Sequence, residues 1–217
     1  MATKPKARVP PRIDPDLLAD SLAEQLVSGQ ASDATASSTV LPPLVSPRGQ
    51  AARIDRCMLR SVTLSDPAAR RLRLEDVSIE TSDLANIDLT GGSLERVEIV
   101  STRLTGATFT EAQGKSVLFR ECKMDLALFR MARLQQCVFE RCNLVDADFY
   151  GADLAGAVLH GCDLSRADLS HAKLTGADIR DCRLDGLRGT PAAMDGLIIG
   201  PDQAPLLITL FGVRVVW

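Results

Sequence analysis

The sequence predicts a solenoid of very short repeats, and three observations carry that reading. Stepping by five from Ile54 to Leu184 lands on Leu, Ile, Phe or Met everywhere except Ala69 and Gly114. The residue two before each of these is Ala, Cys, Ser, Thr, Val or Gly, save at Pro67, Leu72 and Ile87. Glycine recurs two residues after the large apolar one, at Gly91, Gly106, Gly151, Gly156, Gly161, Gly176 and Gly186. A period of five matches neither the helix at 3.6 nor the strand at 2. It requires a backbone that bends every five residues, and glycine at a fixed phase marks such a bend. The composition agrees: 46% apolar but 4% aromatic means a core of Leu and small side chains rather than aromatic anchors. A length of 217 residues fits one domain with tails.

The units Ala147-Asp-Phe-Tyr-Gly, Ala152-Asp-Leu-Ala-Gly, Ala167-Asp-Leu-Ser-His and Ala177-Asp-Ile-Arg-Asp resemble the A(D/N)LXX unit of the pentapeptide repeat family. The resemblance extends over about residues 52–186, is more degenerate in the first half, and is strained most between Arg48 and Ala85. It implies an all-β solenoid, a right-handed quadrilateral β-helix with four units per coil and about seven coils, with short helical elements at both ends. Three regions follow: 1–50, a basic tail, a short amphipathic helix and a flexible linker; 51–186, the β-helix; and 187–217, a C-terminal cap. At ~4.8 Å per coil the rod is about 32 Å long.

Four units per coil stack residues 20 apart. Cys122, Cys142, Cys162 and Cys182 then form one ladder in the small slot, with Cys57 and Cys137 expected on the opposite face. Their placement reads first as small buried filler. Disulfides between coils, whose Cα spacing suits them, and a metal site stay open, although the spacing is that of coils and not of CxxC pairs. Phe109, Phe129 and Phe149 fall on one face and Phe119 and Phe139 on the opposite one, as two stacks meeting across the lumen. Gly114 leaves a hole that a neighbouring Phe would fill. Among outward positions, Leu118, Val138 and Val158 line up with Val100 and Met58, with Leu126, Leu128 and Met131 in the intervening units. This suggests an exposed apolar stripe, here taken as the candidate interaction site Val100, Leu118, Val138, Val158 and Leu128. The alternative is ladder packing between neighbouring strands.

The ends of a solenoid expose core and strand edges, so caps are expected. Residues 13–28 read as an amphipathic helix, with Asp14 as N-cap, Pro15 at the first position and Leu17, Leu18, Leu22, Leu26 and Val27 as its apolar face. Residues 31–50, rich in Ser, Ala and Pro, read as a flexible linker. Residues 201–212 read as a short helix ending at Gly212, and 213–217 as a strand. Leu206, Leu207, Leu210 and Phe211 would cover the last coil, and with Trp217 they form a candidate cap and dimer contact.

No catalytic constellation survives this phase. Cys162 and His160 point in opposite directions, the repeated Asp before each centre decorates the surface, and no phosphate-binding glycine motif is present. The chain is expected not to be an enzyme, and no cofactor or metal is expected. The absence of any apolar run of 18 residues or of a signal-like segment reads as cytoplasmic, with no membrane partner. The expected role is a rigid scaffold for a protein partner, with a homodimer through the C-terminal end as a further expectation. The resemblance also implies an alternative, a DNA-mimicking protector of gyrase or another type II topoisomerase against quinolones or toxins. A net charge of -3 with Arg spread along the rod argues against that mimicry and equally against direct nucleic-acid binding.

Overall fold

The computed structural model describes residues 9–13, 25, 30–32, 34–37, 52–64, 69–210 and 212. They form a four-sided parallel β-solenoid. Ten short strands make one sheet: β1 (Gln30–Ser32), β2 (Thr35–Ser37), β3 (Arg53–Asp55), β4 (Met58–Arg60), β5 (Arg73–Glu80), β6 (Ser93–Val100), β7 (Gln113–Lys115), β8 (Leu118–Arg120), β9 (Val138–Glu140) and β10 (Val158–His160). All pairings are parallel. Leu74 faces Leu94, Ile79 faces Ile99 and Phe119 faces Phe139, so each coil takes 20 residues. Single bridges carry the same offset on the other sides, as in Asp83 with Arg103 and Asp88 with Thr108. The sides are numbered here by their central residues: Leu74 on the first, Ile79 on the second, Leu84 on the third and Leu89 on the fourth.

The corners explain the period. The residue two after each centre has positive φ, whether it is Gly91 (65°), Arg96 (54°) or Leu126 (60°). An L residue there costs roughly 1–2 kcal/mol, which glycine avoids. At most corners the turn closes locally, as in Ala147 N–H to Leu144 O (3.1 Å) and Ala177 N–H to Leu174 O (2.8 Å). The Asp before the centre adds a second local bond. Asp148 accepts from Tyr150 N–H (2.9 Å), Asp153 from Ala155, Asp163 from Ser165 and Asp168 from Ser170 (2.8 Å). The repeated carboxylate is therefore a corner brace and not mere decoration, which is the physical reason for Asp or Asn in the unit.

Centres and small slots fill the lumen. Phe109, Phe129 and Phe149 stack at 4.8 and 4.6 Å, Phe119 and Phe139 stack at 4.9 Å, and the two columns meet edge-to-face at 5.8, 6.0 and 6.4 Å. The space at Gly114 is filled by Leu134, Cys137 and Val117, not by a phenylalanine: a Cβ there would sit 2.7 Å from Leu134.

The ends differ from expectation in one respect. β1 and β2 lie inside the segment read as linker, pairing Ala31 with Ile54 and Ala36 with Leu59, so the solenoid starts earlier, with a first coil of 23-residue register. The proposed helix over 13–28 lies almost wholly outside the described residues. At the other end Ile198 bridges Asp178, a 3-10 turn spans Pro201–Gln203, and helix α1 (Ala204–Leu210) follows. Leu207 is buried against the core and Leu210 packs beside it. The side chain of Gln203, itself buried, donates to Ile179 O (2.9 Å) and Cys182 O (2.8 Å) and accepts from Gly200 N–H (2.8 Å). It thereby satisfies the Cys182 carbonyl and adds to the bond that Cys182 N–H already makes to Ile179 O. Phe211 and Trp217 lie outside the described residues.

Candidate interaction faces

Of the predicted stripe, Leu128 and its neighbours Leu126 and Met131 stand on the surface, and the rest does not. Leu118 is 2% exposed, and Val100, Val138 and Val158 are half-buried. Each sits in a continuous ladder, with Leu118 between Glu98 and Val138, so neighbouring coils cover it. The exposed apolar groups of the rod are Leu126 (56%), where the third side turns into the fourth, Leu128 (37%) on the fourth side, and Met131 (52%) at the far corner of that side. Beside them Arg130 pairs with Asp148 (2.6 Å) and lies over the Tyr150 ring at 5.5 Å, and Tyr150 packs on His171 at 5.0 Å. The signal for this patch was in the sequence. The residues 20 before Leu126 and 20 after Met131 are Gly106 and Gly151, which have no side chain to cover them.

Elsewhere the outward positions are largely paired along the ladders. Arg60 meets Glu80 (2.8 Å), Arg120 meets Glu140 (2.7 Å), Arg141 meets Glu121 (2.7 Å) and Arg166 meets Asp146 (2.6 Å). Both signs occur on every side, so no side presents a continuous acidic field. One ionic cluster is denser. Arg96 donates to Asp76 (2.7 and 2.8 Å), to Glu75 (2.8 Å) and to Glu95, while Arg12 N–H also reaches Asp76 (2.9 Å). Asp55, Glu75 and Asp76 are close enough to share an ion, but the Arg96 guanidinium already occupies two of them. Its hydrogen bond, set against burial, holds the Asp76 carboxyl below the ordinary aspartate range. Sequence reading missed this cluster, because only the 20-residue register brings 55, 75, 76 and 95 around 96.

All six cysteines are buried free thiols. Cys57 and Cys137 lie on the side next to the ladder of four, not opposite it: they precede centres of the second side, and the ladder precedes centres of the third. The ladder has a role beyond filling. Among the described residues no local turn bond closes at 99–102, 119–122, 139–142 or 159–162. Cys122, Cys142, Cys162 and Cys182 donate instead to the carbonyls of Ile99 (3.3 Å), Phe119 (3.4 Å), Phe139 (3.4 Å) and Leu159 (3.1 Å). In the same column Ser82 and Thr102 donate to Glu80 O and Val100 O. Burial pushes the Cys137 thiol up to about 12, and neighbouring thiols together with burial push Cys142 and Cys182 up. His160 is exposed beside Asp181 (3.4 Å), turned away from buried Cys162.

A model of pentapeptide repeats matches eight copies over residues 122–161 and 147–186. The 20-residue register runs through these copies and continues unchanged back to Arg53. Residues 122–186 are pentapeptide repeats. Two solved structures of the pentapeptide-repeat fold show how far the likeness reaches. Trypsin-treated QnrB1 is 18% identical, covering 92% of this chain and 96% of that one, with a TM-score of 0.61. Full-length QnrB1 is 19% identical, covering 85% and 90%, with a TM-score of 0.51. Both are described as a plasmid-mediated fluoroquinolone resistance protein, and at this identity the likeness is one of fold. No curated protein matches the sequence. Among the described residues no helix is long and apolar enough to cross a membrane.

Proposed function

We propose that this chain is a non-enzymatic pentapeptide-repeat scaffold that presents a rigid face to a protein partner. The observation that carries the reading is the apolar fourth side at Leu126, Leu128 and Met131, exposed on a rod whose other outward groups are mostly polar or ion-paired. Such a patch, rimmed by Arg130 and Tyr150, has the composition of a protein contact. The cytoplasm is the proposed compartment. The test is capture of partners from the native cell with the full chain and with Leu128→Asp/Met131→Asp. A defined partner lost with the variant supports the reading, and a partner retained at equal yield overturns this face as the contact.

The C-terminal end is the proposed self-contact. Leu207 is spent on the core, but Leu206 and Ile208 remain exposed on α1 beside an apolar groove of about 380 Å³ lined by Met194, Leu197 and Ile199. A solution mass of two chains that falls to one with Leu206→Asp supports it, and an unchanged mass removes it. Protection of a type II topoisomerase is the second reading, favoured by the shared fold with QnrB1 and opposed by the mixed charge of every side. A supercoiling assay with gyrase and a quinolone decides it: no protection at about micromolar protein ends that reading.

A further inference from the structure

The first side carries a second surface feature, charged where the fourth side is apolar. Gly91, Gly92 and Ser93 place three small residues in a row where the coil before has Arg71 and Arg73. Gly92 is held close to backbone: a Cβ there would lie 2.9 Å from Leu89 O and 3.0 Å from Leu72 O. The side is therefore lowered at this coil, leaving a groove of about 630 Å³. It runs on, past Ser93 and Gln113, into a second hollow of about 360 Å³ that reaches Lys115 and Arg133.

The charges along this groove are unequal in what they have left to offer. Its two carboxylates, Glu75 and Glu95, are both bound by Arg96. Arg53 is engaged by Glu75 (2.7 Å). Arg71, Arg73 and Arg133, however, are exposed and make no ion pair among the described residues. Lys115 is 80% exposed and only loosely placed near Glu95, at 3.7 Å. The groove thus holds free cations over acids that are already engaged by guanidinium groups. Free guanidinium groups are built for bidentate carboxylate pairing. Ser93 and Gln113 between them offer neutral hydrogen-bonding groups on the floor.

We propose that this groove docks an extended acidic peptide segment of a protein partner, with carboxylates pairing to Arg71, Arg73 and Arg133. Four coil steps separate Arg53 from Arg133, about 19 Å at ~4.8 Å per coil, which suits roughly six extended residues. That length exceeds what one small anion spans. A continuous polyanion fits less well, because the same row continues into Asp153 and the chain as a whole is net negative, at -3. The groove adjoins the apolar face, since Arg71 and Gly91 share the corner column of Met131, three and two coil steps from it.

The test is fluorescence anisotropy with the full chain and a fluorescein-labelled, C-terminally amidated (Glu-Gly)4 peptide at about 50 mM salt. Saturable binding is expected. It should weaken about tenfold or more in Arg71→Glu/Arg73→Glu, and stay within about twofold in Arg103→Glu/Lys123→Glu, which makes the same charge change on the third side. Arg71 and Arg73 are exposed and unpaired, so reversal leaves the fold intact, which a thermal melt verifies. Arg71→Gln/Arg73→Gln supplies a neutral variant expected to show an intermediate loss. Three outcomes overturn the proposal: no saturation up to about 1 mM protein, equal loss in both charge-reversal variants, or tighter binding of an oligothymidine of equal charge through the same arginines.

Discussion

The two halves of this solenoid build the same coil by different means. From residue 122 onward the small slot is mostly Ala or Cys, the residue before the centre is commonly Asp or Asn, and corners close through local bonds such as Ala152 N–H to Phe149 O (2.9 Å). In the earlier coils the slot holds Leu72, Val77, Ile87 and Val97, and the first-to-second corner carries no Asp brace. There β5 and β6 pass through the corner as unbroken eight-residue strands, paired over nearly their whole length, from Arg73 with Ser93 to Glu80 with Val100. The Arg96 cluster ties the coils together at that bend. The comparison teaches that the familiar repeat unit is a local corner device, and that a corner without it keeps the same register through longer strand pairing and an ionic clamp between coils.

The largest effect is expected where the halves share the lumen. Phe129→Ala removes the middle ring of the longer stack and should cost about 4 kcal/mol in urea unfolding. Because the core is continuous, the loss should appear as one cooperative transition rather than as melting of one half. Arg96→Ala strikes the earlier half alone. It leaves Asp76, Glu75 and Glu95 crowded without their cation and should cost about 2 kcal/mol. Asp168→Ala removes a brace of the later half and should cost about 1 kcal/mol, with Asp168→Asn recovering most of it, as Asn143 makes the same bond to Val145 N–H.

Acid should sharpen the same contrast. Asp76 lies below the ordinary value of 3.8 chiefly through its hydrogen bond from Arg96. Asp168 is raised by burial but lowered by more through Ser170 and Arg188, and Asp178 is lowered first by Arg180. A carboxylate depressed on folding contributes its full stability above the unfolded value and loses it as pH falls through the lower folded value. Stability should therefore hold to near pH 4 and fall below it. Arg96→Ala should flatten the part of that fall owed to Asp76, and Asp168→Asn the part owed to Asp168, as read from unfolding free energies between about pH 2 and pH 6. The smallest expected effect is Cys162→Ser, which keeps a donor to Phe139 O and should cost less than Cys162→Ala. Equal costs would return the ladder to simple filling.

Much of this was legible because the five-residue phase assigns each residue a direction. The aromatic columns, the buried cysteine ladder and the opposed Cys162 and His160 all follow from counting. What counting missed has physical causes. The first coil is hidden because Ala31 and Ala36, not Leu or Ile, fill its inward positions, and a Ser/Ala-rich run reads as linker. The stripe held at Leu126, Leu128 and Met131 but not along the valine ladder, because pointing outward is not the same as being exposed: Leu118 is covered by its ladder neighbours, while Leu126 and Met131 stand beside glycines. The Gln203 plug was illegible because its role depends on where the last coil leaves its carbonyls.

The central claim is that the fourth side at Leu126, Leu128 and Met131 is where a protein partner sits. Site-specific photo-cross-linking in the native cell tests it most directly. A photoreactive residue placed at 128 or 131 should capture one defined partner, and the same group at His160, exposed on the opposite, second side, should capture none. Equal capture from both sides, or none from 128 and 131, would contradict the account.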